Sequence, residues 1–271
     1  MNQYVSPSAL KPLSITDLAA MKQRGEKISC LTAYDAAFSA LIDQAGIDMM
    51  LVGDSLGMVI QGHHSTLPVT VRDMVYHTRC VSYARQRAFI IADLPFMSYA
   101  TPAMAAKNAA KLMQLGGAQM VKLEGARIDC IRFLVDQGIP VCGHLGLLPQ
   151  SINQLGSYKV QGKEQAAADK IRSDALHLQQ AGAGLLVLEC VPAGLAKDIS
   201  EQLTIPVIGI GAGVDCDGQV LVLYDMLNIG TVKRPRFSRN FMTGAENIET
   251  AIYAYHQAVK QSLFPAAEHS F

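Results

Sequence analysis

Met49–Met50–Leu51–Val52–Gly53–Asp54–Ser55 decides the fold: four apolar residues in a row, a glycine, then an acid and a hydroxyl. A short run that is apolar at every position fits a parallel strand covered on both faces, not a half-exposed one. The same pattern recurs along the chain. Phe89–Ile90–Ile91–Ala92 stops at Asp93, and Met120–Val121–Lys122–Leu123 stops at Glu124. Leu185–Leu186–Val187–Leu188 stops at Glu189, and Pro140–Val141–Cys142–Gly143 stops at His144.

Working outward, the predicted strands are Ile28–Thr32, Asp48–Val52, Ala88–Ala92, Gln119–Leu123, Pro140–Gly143, Leu185–Leu188, Pro206–Ile210 and Gln219–Leu223. Amphipathic helical patterns lie between them at Ala36–Ala45, Val71–Arg87, Pro102–Leu115, Arg127–Gln137, Glu164–Ala181 and Ala193–Gln202, with Glu246–Leu263 as a terminal helix. Thr70 before Val71 is placed as an N-cap, and Thr101–Pro102 sets proline at a first helical position. Gly46, Gly116, Gly138 and Gly182 follow helical patterns, where a left-handed cap favours glycine. About eight β/α units predict a closed α/β barrel, with an open doubly wound sheet as the alternative that periodicity leaves standing. The whole chain, residues 1–271, is expected to form one barrel domain, with 1–15 a variable leader. The stretch Gly143–Gly162 has little periodicity, and a loop of that length in a compact domain is more often a lid or binding loop.

Composition narrows the function. At 271 residues, 50% hydrophobic and 17% charged, the chain has enough apolar material for one layered core. Lys+Arg and Asp+Glu both total 23, so no basic excess draws the protein to nucleic acid or anionic membranes. No apolar run nears the roughly 20 residues that span a bilayer. Met1–Lys27 lacks the basic start and apolar core of a signal peptide. The six cysteines are scattered with no CxxC pair, which argues for a reducing, cytoplasmic setting and against zinc.

On one barrel rim, Asp54, Asp93, Glu124, Glu189, Lys122 and His144 would converge where barrel active sites sit. A lone Asp after a strand is more often a turn or N-cap residue, and a lone histidine more often structural. Glu is a poor turn former and costly beside a core strand. Lys122 lies inside an apolar strand two residues before Glu124, so both side chains share a face and the lysine needs carboxylate or anionic partners. Several acids together need a positive counterpart. An all-oxygen set points to a hard cation such as Mg²⁺, which takes one or two carboxylates and keeps waters.

These residues also carry a resemblance. Val52–Met58, Gln61–Gly62–His63, Ser65–Thr70, Ala92–Met97, Val121–Gly125, Val141–Leu147, Tyr158–Gly162, Leu188–Pro192, Ile208–Gly213 and Glu268–Ser270 resemble the ketopantoate hydroxymethyltransferase family, in order from about Ile28 to the end. The resemblance implies a (β/α)₈ barrel of the phosphoenolpyruvate/pyruvate superfamily type. It implies hydroxymethyl transfer from 5,10-methylenetetrahydrofolate to 3-methyl-2-oxobutanoate, giving ketopantoate for pantothenate biosynthesis. By position, Asp54, Asp93 and Glu124 match the metal-associated acids. Asp54, Ser55, Asp93, Lys122 and His144 match substrate contacts, and Glu189 the general base. One Mg²⁺ per subunit and a homo-oligomer, commonly a decamer, are implied with them.

The chemistry agrees with the residues. A proton beside a ketone leaves only if the carbonyl oxygen is stabilised, by a Lewis acid and by Lys122. Glu189, beside Val187, Leu188 and Val191, has surroundings that raise a carboxylate toward neutrality. Gly209–Gly213 lacks the dinucleotide fingerprint, and its glycines serve close approach of ligand or helix. A folate-independent 2-oxo acid lyase or mutase of the same superfamily is the rival enzyme. A non-catalytic metabolite-binding barrel is the rival of another class, and it has no need of a base at Glu189.

Overall fold

Strands apolar at every position need cover on two sides, and a closed barrel wrapped by helices supplies both. A computed structural model, which describes residues 11–230 and 234–271, shows this arrangement. The strands are β1 (Ile28–Thr32), β2 (Met49–Val52), β3 (Phe89–Asp93), β4 (Met120–Glu124), β5 (Val141–Gly146), β6 (Leu185–Glu189), β7 (Val207–Ile210) and β8 (Gly218–Leu221). They pair in parallel in chain order, and β8 returns to β1 with Ile28 opposite Gly218 and Leu31 opposite Leu221. That closure excludes the open sheet. Gly218 permits it: a Cβ there would lie 2.3 Å from the Ile28 carbonyl oxygen.

The helices are α1 (Ile15–Gln23), α2 (Ala36–Gln44), α3 (Leu56–Val59), α4 (Val71–Ala84), α5 (Pro102–Gln114), α6 (Ile128–Asp136), α7 (Ile152–Leu155), α8 (Gln165–Gln180), α9 (Ala193–Gln202), α10 (Leu223–Met226) and α11 (Ile248–Lys260). Outward strand residues such as Val52, Ile90, Val121 and Leu186 pack with helical residues including Ile42, Met74, Leu112 and Leu178 in the larger core. The inward files, Cys30, Met49, Leu51, Ile91, Met120, Cys142, Leu185 and Ile208 among them, form a second core inside the barrel. Two layers therefore share each strand, one on each side of the pleat.

The structure departs from the sequence reading in several places. α1 was not expected. Ser14 and Asp17 form a capping box at its start, and Leu18 and Met21 enter the barrel's inner core from below. Of the expected leader, residues 1–10 lie outside the described residues, while Leu13 donates its N–H to the Arg87 carbonyl at 2.8 Å. The helix predicted to reach Arg87 stops at Ala84. There the Asp43 carboxylate accepts from the N–H groups of Gln86, Arg87 and Ala88, replacing the helical bonds. Strand β8 ends at Leu221, not Leu223, and α10 begins with the Leu223 N–H donating to Thr32 Oγ1 at 2.9 Å. Strand β5 runs on to Gly146, so His144 lies within it. The aperiodic stretch that follows holds a 3₁₀ turn at Pro149–Ser151 and then α7.

Candidate active site

Inside the barrel the inner files change character from bottom to top. On β4 the file reads Met120, Lys122, Glu124; on β3 it ends Ile91, Asp93; on β5 it reads Cys142, His144; on β6 it ends Val187, Glu189. The lower residues of these files belong to the inner apolar core, and the upper ones are the polar group predicted from sequence. Strand register makes them neighbours: Asp93 lies beside Lys122, Glu124 beside His144, and Glu189 beside Gly146. Lys122 Nζ sits 2.8 Å from Asp93 Oδ1. Just past β2, the Asp54 N–H donates to Asp93 Oδ2 at 3.0 Å, so Asp93 uses both oxygens to join three elements. Gly53 leaves the Ser55 hydroxyl its place, since a Cβ there would fall 2.7 Å from Ser55 Oγ. Ser55 Oγ in turn lies 2.9 Å from the Tyr34 hydroxyl.

All seven predicted residues, Asp54, Ser55, Asp93, Lys122, Glu124, His144 and Glu189, line one cavity of about 480 Å³ at the C-terminal mouth of the barrel. Its outer wall is apolar and aromatic, with Met58, Tyr158, Val160, Phe237 and Phe271.

Four carboxylates face a single ammonium here, and their proton affinities follow from it. Burial and the nearby Asp93 push Asp54 up to about 7. Burial raises Glu124 well above the carboxylate range, against the pull of Lys122. Burial likewise lifts Glu189 to about 7, again opposed by Lys122. Lys122 itself is disfavoured by burial, but Asp93, Glu124 and Asp54 outweigh that and hold it firmly charged. His144 is driven the other way, by burial and then by Lys122, and stays neutral. Its Nδ1 lies 3.5 Å from the Lys122 ammonium, which can only donate. We therefore assign the proton to Nε2, which is 3.3 Å from Glu189 Oε2.

Comparison with known proteins fits a site of this kind. The profile of the family described as ketopantoate hydroxymethyltransferase matches residues 12–267. The chain belongs to the ketopantoate hydroxymethyltransferase family. A 3-methyl-2-oxobutanoate hydroxymethyltransferase of Nitrosococcus oceani is 59% identical over 96% of this chain and 99% of its own length. The namesake from Alkalilimnicola ehrlichii is 57% identical over 98% of this chain and 96% of its own. Among solved structures, phosphonopyruvate hydrolase with oxalate and Mg²⁺ superposes with a TM-score of 0.60 at 11% identity, covering 77% of this chain and 80% of that one. A 2,3-dimethylmalate lyase of the PEP mutase/isocitrate lyase superfamily gives 0.52 at 16%, covering 72% and 70%. At those identities the likeness is one of fold.

Reading the sequence missed three side chains of the family member's site. Tyr34 meets Ser55, and Tyr99 and Gln150 stand behind the acids. The Gln150 amide nitrogen donates to Asp54 Oδ2 at 2.8 Å, and its backbone N–H donates to Glu124 Oε2 at 3.0 Å. Nothing in the residue types marks them. Tyr34 follows β1, and Gln150 sits in the aperiodic loop.

Among the described residues, no group of three or more His, Cys, Asp or Glu side chains is placed to hold a metal ion by itself. Mg²⁺ does not require one, since it keeps several waters. Asp54 and Glu124 are oxygen donors raised in pKa by burial among like charges, so a cation at the cavity would relieve them. The residues fit a hard, partly hydrated ion.

Proposed function

We propose that the chain, acting as one barrel domain, transfers a hydroxymethyl group from 5,10-methylenetetrahydrofolate to 3-methyl-2-oxobutanoate, yielding ketopantoate for pantothenate biosynthesis. The observation that carries the reading is Glu189. It is a carboxylate lifted to about 7 that lines the same cavity as an ammonium-paired cluster of acids. Such a group is poised as a base at neutral pH, and a purely binding barrel needs none.

The substrate carboxylate and carbonyl enter among Ser55, Lys122 and the acids. Lys122 supplies fixed positive charge toward the oxygens where negative charge develops. Asp93 holds Lys122 in place and, through the Asp54 N–H, aligns the turn that carries Ser55. Glu189 takes the C3 proton, and the C–H electron pair moves toward the carbonyl oxygen as the enolate forms. His144 places Nε2 3.3 Å from Glu189 Oε2, beside the base, though no hydrogen bond joins them. One C–N bond of the donor opens, the enolate carbon bonds its methylene carbon, and water then displaces the remaining C–N bond, so that tetrahydrofolate leaves and the transferred carbon carries the new hydroxyl. The aromatic outer wall, with Tyr158, Phe237 and Phe271, suits the donor's flat ring system. Asp54 and Glu124, with Asp93 behind them, would hold Mg²⁺, one per subunit, whose Lewis acidity stabilises the enolate oxygen when it is bound. The Mg²⁺ of the phosphonopyruvate hydrolase structure supports the assignment by analogy of fold.

The test is solvent exchange of the C3 proton of 3-methyl-2-oxobutanoate, followed by proton NMR with Mg²⁺ or EDTA and without folate. Metal-dependent exchange is expected. Absence of exchange by folded, metal-loaded protein would overturn independent enolisation. A folate-independent lyase or mutase is the second reading, favoured by the lyase among the structural neighbours. Turnover of a 2-oxo acid without methylenetetrahydrofolate would establish it. We also carry over the family's homo-oligomer, a decamer, and a cytoplasmic location. Among the described residues no helix is long and apolar enough to cross a membrane. Light scattering on the purified protein is expected to give ten subunits, and a monomer would refute the assembly.

A further inference from the structure

The loop that follows β5 is tied down at three points, and each tie meets the candidate site. Leu147 donates its N–H to the Glu189 carbonyl at 2.8 Å, and Gln161 donates to the Cys190 carbonyl at 2.9 Å, so both ends are fastened to the strand that carries the base. The middle is fastened to the acids by Gln150. This glutamine is only 6% exposed, and its side chain leaves no polar atom unused. Its two amide hydrogens go to Asp54 Oδ2 at 2.8 Å and to the Leu94 carbonyl at 3.0 Å. Its amide oxygen accepts from the buried Tyr99 hydroxyl. The amide can point only one way. Turned over, it would set its oxygen against the Leu94 carbonyl, which cannot donate.

The consequence lies in which oxygens remain for a ligand. Asp93 spends Oδ1 on Lys122 and Oδ2 on the Asp54 N–H. Asp54 gives Oδ2 to Gln150, and Glu124 gives Oε2 to the Gln150 backbone N–H. Asp54 Oδ1 and Glu124 Oε1 are left free of these bonds. We propose that Gln150, oriented by Tyr99, is a positioning residue that selects the oxygen of Asp54 presented to a divalent cation and ties the loop to the acid cluster. The inference rests on the metal reading given above. Buried partners that orient acidic ligands typically change metal affinity roughly tenfold to a hundredfold when removed.

Gln150→Met is the decisive variant. It keeps the side chain's length and the backbone N–H to Glu124 but deletes the three side-chain hydrogen bonds. Mn²⁺ alone, titrated into substrate-free protein and followed by electron paramagnetic resonance, is the probe. Gln150→Met is expected to weaken Mn²⁺ binding roughly tenfold or more. Tyr99→Phe, which deletes the donor to the amide oxygen and loosens its hold, is expected to weaken it by a smaller but measurable factor. A merely structural role would lower the melting temperature and leave the affinity of the folded protein unmoved. Folded Gln150→Met binding Mn²⁺ within a factor of two of wild type overturns the proposal. Should that variant not fold, unchanged affinity in Tyr99→Phe overturns it. Wild-type protein that binds no Mn²⁺ refutes the metal reading itself and the positioning role with it, an outcome distinct from a variant that binds as wild type does.

Discussion

Glu189 and Lys122 show what burial does to single charged groups in this barrel. Glu189 is raised to about 7 by desolvation, and its ionised form is the proposed base. Proton exchange at C3 should therefore rise as pH increases through about 7 and level off above it, falling about tenfold per unit on the acid side. A rate–pH profile from 5.5 to 8.5 checks this, and a flat profile would remove Glu189 as the titrating base. Glu189→Gln should cost on the order of a hundredfold or more in exchange while leaving the fold intact. Lys122 answers a different question. Its side chain is 5% exposed and paired with Asp93, so Lys122→Met leaves a buried carboxylate without its cation. The expected loss is about 3–5 kcal/mol in urea unfolding of the metal-free protein. A variant as stable as wild type would mean that the acids are already neutral.

At the scale of elements, the most exposed test is the junction between α2, α4 and β3. Asp43, at the end of α2, takes the three backbone N–H groups of residues 86–88. Asp43→Ala orphans them and should destabilise the protein by about 2 kcal/mol, read from denaturant midpoints. This junction also explains what the sequence could and could not reveal. The helical period runs past Ala84, and only a carboxylate that arrives from 40-odd residues away ends the helix there. The strands were legible because each is a dense apolar run, and the acids at their ends because a charge there has no packing reason to exist. α1 was hidden by its low amphipathicity: only Leu18 and Met21 of its nine residues are buried. The seven candidate residues that line the cavity were legible as chemistry-bearing types at or near strand ends. Gln150 and Tyr99 were not, since a neutral amide in an aperiodic loop and a tyrosine before a helix become meaningful only when the barrel brings Asp54 and Glu124 to them.

Across the whole molecule the two ends of the barrel handle charge in opposite ways. At the N-terminal end, Asp48 is fully buried between Arg87, 3.0 Å away, and Lys260 of α11, 2.7 Å away. Burial alone would raise its pKa, but Lys260, Ser29 and Arg87 outweigh burial and hold it below the ordinary value. A depressed acid stabilises the fold above its unfolded pKa of about 3.9, and that contribution is lost as pH falls through the lower folded value. At the C-terminal end the sign reverses. Asp54 and Glu189 sit near 7 and Glu124 is also raised, so between about pH 4 and 7 the folded state holds protons that the unfolded chain has released. Stability must then fall as pH rises through that window, so long as no cation occupies the site. EDTA-treated protein should melt at a higher temperature near pH 5 than near pH 7.5, by on the order of 5 °C. Mg²⁺ should raise the midpoint at pH 7.5 and have little effect at pH 5, where the acids are already protonated. Thermal scans at both pH values, with and without Mg²⁺, distinguish the cases. A metal-free protein equally stable at both would show that the acids do not carry their charge at the cost of the fold, and a Mg²⁺ effect equal at both pH values would place the ion elsewhere.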